Sequence, residues 1–281
     1  MKVGLKYFYI GLPMFLFCQS VHGWMPIHEE NPYSISGMVP FKNGYIVVHD
    51  NEGDDSPRVS YIDHNFQTNN LIWPEAIPPN GLEAAVKIPN RNNRFIFLEG
   101  SGKCYEINID PKDFRIDLLS TFVLPQLTEN MSLKGMAIFP SGQGWVIAYI
   151  DQGTISHGST FFTAFFDQDK KSFSEVTQFI FDLPKPNSNN IKMTDLTLKK
   201  DGSLWSTVFS ITKYDESFST SIYELGQFNH AGTFIPTHRD LLKPIMVFDG
   251  HKLEAILFHK GHFVLITDNE NIGKAMKVMG E

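Results

Sequence analysis

Apolar positions along this 281-residue chain fall in short runs that alternate by two or are continuous, the pattern of strands buried on one or both faces; no stretch carries a long helical period. One phrase opens the pattern five times: Ile35-Ser36-Gly37-Met38, Leu82-Glu83-Ala84-Ala85, Leu133-Lys134-Gly135-Met136, Met193-Thr194-Asp195-Leu196 and Leu253-Glu254-Ala255-Ile256. The starts lie 47, 51, 60 and 60 residues apart. Each phrase runs on through an apolar stretch, a turn and a second apolar strand, such as Gly44-Tyr45-Ile46-Val47-Val48 or Gly261-His262-Phe263-Val264-Leu265. A small sheet cannot bury both of its faces alone, so a β-rich unit of this period predicts blades stacked around an axis. The expected fold is all-β, a five-bladed β-propeller.

Four strands are expected in each of the first four units. In the first they cover 35–41, 45–50, 58–63 and 70–73, with Asn43-Gly44 at the first hairpin, where both residues accept positive φ. The second unit gives 82–88, 94–99, 103–109 and 115–123, and the third 133–139, 145–150, 160–166 and 174–181. The fourth gives 193–198, 203–209, 219–225 and a strand after Gly232, and 184–190 reads as a turn-rich link. The fifth unit supplies only 253–258, 262–267 and 274–278. Unpaired edges invite aggregation, so residues 24–30 are expected to add the missing strand and close the last blade.

Composition adds a compartment. Lys2 and Lys6 precede an apolar run from Tyr7 to Cys18, followed by Val21-His22-Gly23, the order of a secretory signal. The run is shorter than the ~20 residues that cross a bilayer and is broken by Gly11 and Pro13. Residues 1–23 are therefore expected to be a signal peptide and 24–281 a single propeller domain, secreted or periplasmic and monomeric. Cleavage would move the formal charge from −7 to −9, because it removes two lysines and no acid. Such a chain is poorly suited to nucleic acid or to an anionic membrane surface, both of which need clustered Lys and Arg. Cys104 alone would remain, and it reads as a buried strand thiol.

The second position of the five phrases reads Ser36, Glu83, Lys134, Thr194 and Glu254. In a propeller these positions converge on the axis, and buried carboxylates are costly unless a cation meets them. Calcium held by Ser36, Glu83, Thr194 and Glu254 is one candidate, and Lys134 bridging Glu83 and Glu254 is the other. A polar plug with no further role is the plain alternative. The triplets Asp50-Asn51-Glu52 and Asp268-Asn269-Glu270 end equivalent strands of neighbouring blades. With Glu99 and Asp151 they predict an acidic mouth on the same face, suited to a small molecule or cationic ligand. Turn formation alone would also explain Asp and Asn there.

These five phrases resemble the exported five-bladed propellers called SdiA-regulated proteins and, more distantly, the calcium-activated apyrases and phytase-like esterase propellers. In the first two groups the axial ring reads Ser, Glu, Glu, Ser, Glu and holds calcium; here Lys134 reverses the charge at the third place. Two functions are expected: an exported binding module with a ligand at the acidic mouth formed by Asp50, Glu52, Lys134, Asp268 and Glu270, and, implied by the apyrase and phytase-like resemblance, a calcium-dependent phosphoester or nucleotide hydrolase. No Gly-x-Ser-x-Gly elbow, His-Glu-x-x-His or dinucleotide fingerprint is present, and the ten histidines lack zinc spacing. Lys170-Lys171 and Lys199-Lys200 read as solvated turns, and Trp145, Trp205, Phe165 and Phe166 as inter-blade packing.

Overall fold

Five antiparallel sheets form the molecule, and each is fixed by the alternation that predicts it. A computed structural model describes residues 23–27, 34–52, 56–153, 158–181, 183, 188–212, 218–269 and 273–280. A short strand β1 (Met25–Pro26) comes first; blade one follows as β2 (Gly37–Phe41), β3 (Gly44–Val48), β4 (Val59–Ile62) and β5 (Thr68–Leu71). Blade two is β6 (Leu82–Lys87), β7 (Arg94–Glu99), β8 (Lys103–Ile109) and β9 (Ile116–Val123). Blade three is β10 (Leu133–Ser141), β11 (Gly144–Asp151), β12 (Thr160–Asp167) and β13 (Ser172–Ile180). Blade four holds β14 (Ser188–Leu198), β15 (Ser203–Thr212), β16 (Phe218–Phe228), β17 (Phe234–Pro236) and β18 (Met246–Asp249). Blade five is β19 (Leu253–His259), β20 (His262–Asn269) and β21 (Gly273–Gly280), completed by β1, which pairs Met25 with Met276.

The ring closes through its inner strands, since β2 meets β6, β6 meets β10, β10 meets β14, β14 meets β19 and β19 returns to β2. Apolar side chains fill the spaces between neighbouring blades rather than one central core. Phe41, Val48 and Tyr61 pack on Phe95, Phe97 and Tyr105 between blades one and two. Between blades two and three, Phe122 packs on Phe166 in a tilted contact with ring centroids 4.7 Å apart. Blade four meets blade five through Trp205 and Phe263, 5.2 Å apart. The strand aromatics Trp205 and Phe166 thus serve blade packing, as their positions predict. Cys104 is fully buried in the cluster between blades two and three, and burial raises its thiol pKa.

Inner strands approach so closely at Gly37 and Gly135 that the third position of these two phrases must be small. A Cβ on Gly37 would meet Ala84 Cα at 2.8 Å, and one on Gly135 would meet Leu196 N at 2.7 Å, both backbone atoms that cannot swing aside. Gly135→Ala is therefore expected to cost about 2 kcal/mol by overpacking, read as a fall in the urea midpoint.

Three expectations about local structure need correction. The outer strand of blade one is Thr68–Leu71, not 70–73: Ile72 is 88% exposed, and Trp73 turns onto the Tyr105 ring at 5.4 Å. Ser188–Asn190 belong to β14 and not to a link, whereas 184–187 lie outside the described residues. Blade four has two outer strands, because β16 is eleven residues long and β17 covers only its Gly226–Phe228 end. The chain then makes a 3₁₀ turn (Arg239–Leu241) and returns as β18 to pair Ser219–Ile222 at the other end.

Candidate functional site: the axial ring

A register irregularity carries each charged ring residue. Pairing between the first two strands slips between Leu82 and Ala84, Leu133 and Met136, Met193 and Asp195, and Leu253 and Ala255. Glu83, Lys134, Thr194 and Glu254 lie inside those slips. A β-bulge leaves a residue outside the ladder and re-aims its side chain. Regular inner strands would send side chains only into the two flanking blade interfaces; the bulges release the second position of the phrase from that choice. Ser36 lies one residue before β2 and is buried.

Ammonium groups meet the carboxylates of the ring. Lys134 Nζ donates to Glu83 Oε2 at 2.5 Å, and Lys252 Nζ lies 2.8 Å from Glu254 Oε1. Burial raises the pKa of Glu83, opposed by Lys134, with Asp50 and Glu254 adding to the rise. Burial likewise raises Glu254, opposed by Lys252 and by Lys134, with Asp268 adding to the rise. The structure thus brings Glu83, Lys134, Glu254, Asp50 and Asp268 into one electrostatic neighbourhood. Lys252 belongs to it too and was invisible to the phrase, because it stands two residues before Glu254 and outside the repeat.

Other predicted members are committed elsewhere. The Thr194 hydroxyl lies 2.8 Å from Thr207 Oγ1 and donates to Leu253 O at 3.0 Å, which ties blade four to blade five. Glu52 is exposed and makes no hydrogen bond or ion pair with a described residue. Glu270 lies outside the described residues. Glu99 accepts from Tyr105 Oη at 2.7 Å and Ser101 Oγ at 2.8 Å, and buried Asp151 accepts from the Ser132 and Gly153 amides. Both carboxylates brace turns of their own blades. His49 is fully buried; Nδ1 meets Ser34 O and Nε2 meets Ser60 Oγ, each at 2.7 Å, and burial lowers its pKa to about 4. It braces blade one as a neutral imidazole.

The ring residues do not fit calcium. Calcium takes six to eight oxygens and tolerates no ammonium among them. Both ring carboxylates already carry an ammonium partner, the Thr194 hydroxyl is engaged, and no group of three or more His, Cys, Asp or Glu side chains suited to a metal occurs among the described residues. An ammonium group lies beside each of the two ring carboxylates.

Asp195 was missed. Third positions of the phrase read Gly37, Ala84, Gly135, Asp195 and Ala255, so the aspartate stands where every other blade is small. Its Oδ1 accepts from Leu196 N at 2.8 Å and its Oδ2 from Ile256 N at 2.9 Å, across the blade boundary. Thr197 Oγ1 repeats the device by accepting from Phe258 N at 2.8 Å. Burial raises the Asp195 pKa well above the usual carboxylate range, against the pull of the two amides.

Comparison with known proteins adds the fold. An endo-arabinase from Bacteroides thetaiotaomicron superposes with a TM-score of 0.55 at 8% identity, covering 92% of this chain and 98% of that one. An arabinanase from Bacillus subtilis gives 0.54 at 10% identity, covering 92% and 95%, and a GH43 endo-arabinanase from Bacillus licheniformis 0.54 at 9%, covering 90% and 95%. The chain has the β-propeller fold. At such identities the likeness extends no further. No family model matches the chain, and no curated protein matches it.

Proposed function

We propose that this propeller is an exported binding module for a carbohydrate, held at the axial mouth by the Lys134–Glu83 and Lys252–Glu254 pairs, with lysine in place of calcium as the axial cation. Export rests on the signal-like order of residues 1–23. The observation that carries the reading is the pairing itself: two compensated ion pairs on one bulged ring. Each ring carboxylate is already met by an ammonium group, which disfavours selection of a free cation at the pair itself. The pairs do present fixed donors beside fixed acceptors, and a sugar hydroxyl both donates and accepts. The carbohydrate class is favoured by the neighbours, three of which are arabinanases by name. Kinship with SdiA-regulated proteins remains compatible with this reading; the phosphoester hydrolysis implied by the apyrase likeness is not adopted, because it runs through calcium.

Glycoside hydrolysis is the second reading, favoured by the elevated pKa values of both Glu83 and Glu254. Such chemistry needs one protonated carboxyl to give its proton to the leaving oxygen and one carboxylate to activate water or attack. Titration calorimetry with arabino-oligosaccharides and a panel of other neutral oligosaccharides, with reducing ends measured in parallel, tests both. The expectation is saturable binding to at least one oligosaccharide, weakened about tenfold or more in Lys134→Gln, without release of reducing ends. Release abolished by Glu254→Gln would select the hydrolase, and a panel in which no oligosaccharide binds would overturn the carbohydrate reading.

A further inference from the structure

At the end of the inner strands opposite the ring, the chain is cationic. At this end lie Lys87 and His259, the last residues of β6 and β19, and, in the turns that follow β6, β14 and β19, Arg91, Lys200 and Lys260; Asp201 is the one carboxylate of the five turns that follow the inner strands. Asp201 is spent within its own turn, accepting from Ser203 N at 2.9 Å and Ser203 Oγ at 2.7 Å. This concentration stands out in a chain of net charge −7. Lys87, Lys200 and Lys260 are exposed, and none makes an ion pair with a described residue. They come from blades two, four and five, yet the charges of all three act on His259 and help to lower its pKa, behind burial as the leading cause. Lys87 lines the hollow at the axis, Lys200 and Lys260 the two hollows beside it, so the three share one face.

Beneath them lies a cavity of about 230 Å³, lined by all five inner strands through residues that include Met38, Val86, Met136, Leu198, Ile256 and Phe258, with Lys87 at its wall. A cavity of ~150 Å³ lined by apolar side chains holds a benzene, so this one has room for a small organic molecule. Two peptide donors on β19, Ile256 N and Phe258 N, are taken by Asp195 and Thr197, which leaves that wall less polar than a bare strand edge. Two further hollows open on the same face. One of about 150 Å³ adjoins His259, Lys260 and His262, and one of about 670 Å³ adjoins Lys199, Lys200 and His230. Lys199 itself is not a solvated turn residue: it is buried, with Nζ 4.1 Å from the Trp205 ring centroid and 4.9 Å from that of Phe258. That contact seats the Lys199-Lys200 turn against blade five, and Lys200 beside it is exposed.

We propose that this face is a second binding site, for a small organic anion whose carboxylate or phosphate head lies among Lys87, Lys200 and Lys260 and whose apolar body enters the axial cavity. Low-dielectric walls beneath exposed ammonium groups that make no ion pair with a described residue focus positive potential on this face, and the cavity adds apolar burial for the tail. The site does not depend on the carbohydrate reading, because it shares no residue with the ring.

Titration calorimetry with octanoate, octanol and inorganic phosphate tests it. Octanoate is expected to bind at one site and to be weakened about tenfold or more in the triple variant Lys87→Gln, Lys200→Gln, Lys260→Gln, while octanol and phosphate each bind the unaltered protein at least about tenfold more weakly than octanoate. These three side chains are exposed, so the variant is expected to keep its melting temperature, and its oligosaccharide binding at the ring should be unchanged. Octanoate affinity that survives the triple substitution, octanol binding as tightly as octanoate, phosphate binding as tightly as octanoate, or no saturable octanoate binding would each overturn the proposal.

Discussion

Asp195→Ala is expected to lower the melting temperature by about 6–12 °C, the equivalent of about 3 kcal/mol in a chain of this size. Two buried amides, Leu196 N and Ile256 N, lose their acceptor together, and each unpaired buried donor costs about 1–3 kcal/mol. The loss is concentrated where blade four meets blade five, a junction sewn by side chains of β14 to the backbone of β19 through Thr194, Asp195 and Thr197. Asp195→Asn keeps one acceptor and should lose about half as much. The pH dependence follows from the raised carboxyl pKa. A carboxyl whose folded pKa lies above its unfolded value of about 3.8 gives stability that is fully present at low pH and declines as pH rises towards the folded value. The asparagine variant lacks that titration, so its deficit against the unaltered protein should narrow as pH rises. Thermal melts across that range check the sign, and a deficit that widens with pH would remove Asp195 from the interior.

Lys134→Met should also cost about 3 kcal/mol at neutral pH, because it leaves Glu83 with burial and no adjoining cation. Glu83 already has a raised pKa with Lys134 present, and removal of the ammonium raises it further. The deficit should be small at acid pH, where folded Glu83 is protonated in both proteins, and should grow as pH rises through the raised folded pKa of the unaltered protein. Guanidinium melts at acid and neutral pH measure this, and a deficit independent of pH would mean that Lys134 acts through packing alone.

Most of the fold was legible because one physical demand, two buried faces for each small sheet, writes the same alternation five times. Even the closing strand could be foreseen, since blade five lacks an outer partner and Met25–Pro26 supplies it. The polar second position of the phrase was legible because it recurs where apolar residues are the default, but its pairing was not: Lys134 meets Glu83, while Glu254 meets Lys252 instead of sharing Lys134. What stayed hidden lacks periodic support. Asp195 looked like tolerated variation at a small-residue position, since nothing local says that its carboxylate reaches a neighbouring blade. Lys252 falls outside the phrase. β18 answers only to the length of β16, which the sequence disguises behind Gly226 and Pro236. The cationic rim is assembled from single residues as far apart as Lys87 and Lys260, so no charge run announces it.

The claim on which the site depends is that Lys134, and not a metal, answers the axial carboxylate. A double-mutant cycle of Glu83→Gln and Lys134→Met, read by urea unfolding in calcium and again in a calcium chelator, tests it most directly. We expect a coupling of about 2 kcal/mol or more that is the same in both solutions. Additive losses, or a coupling that appears only when calcium is present, would contradict it.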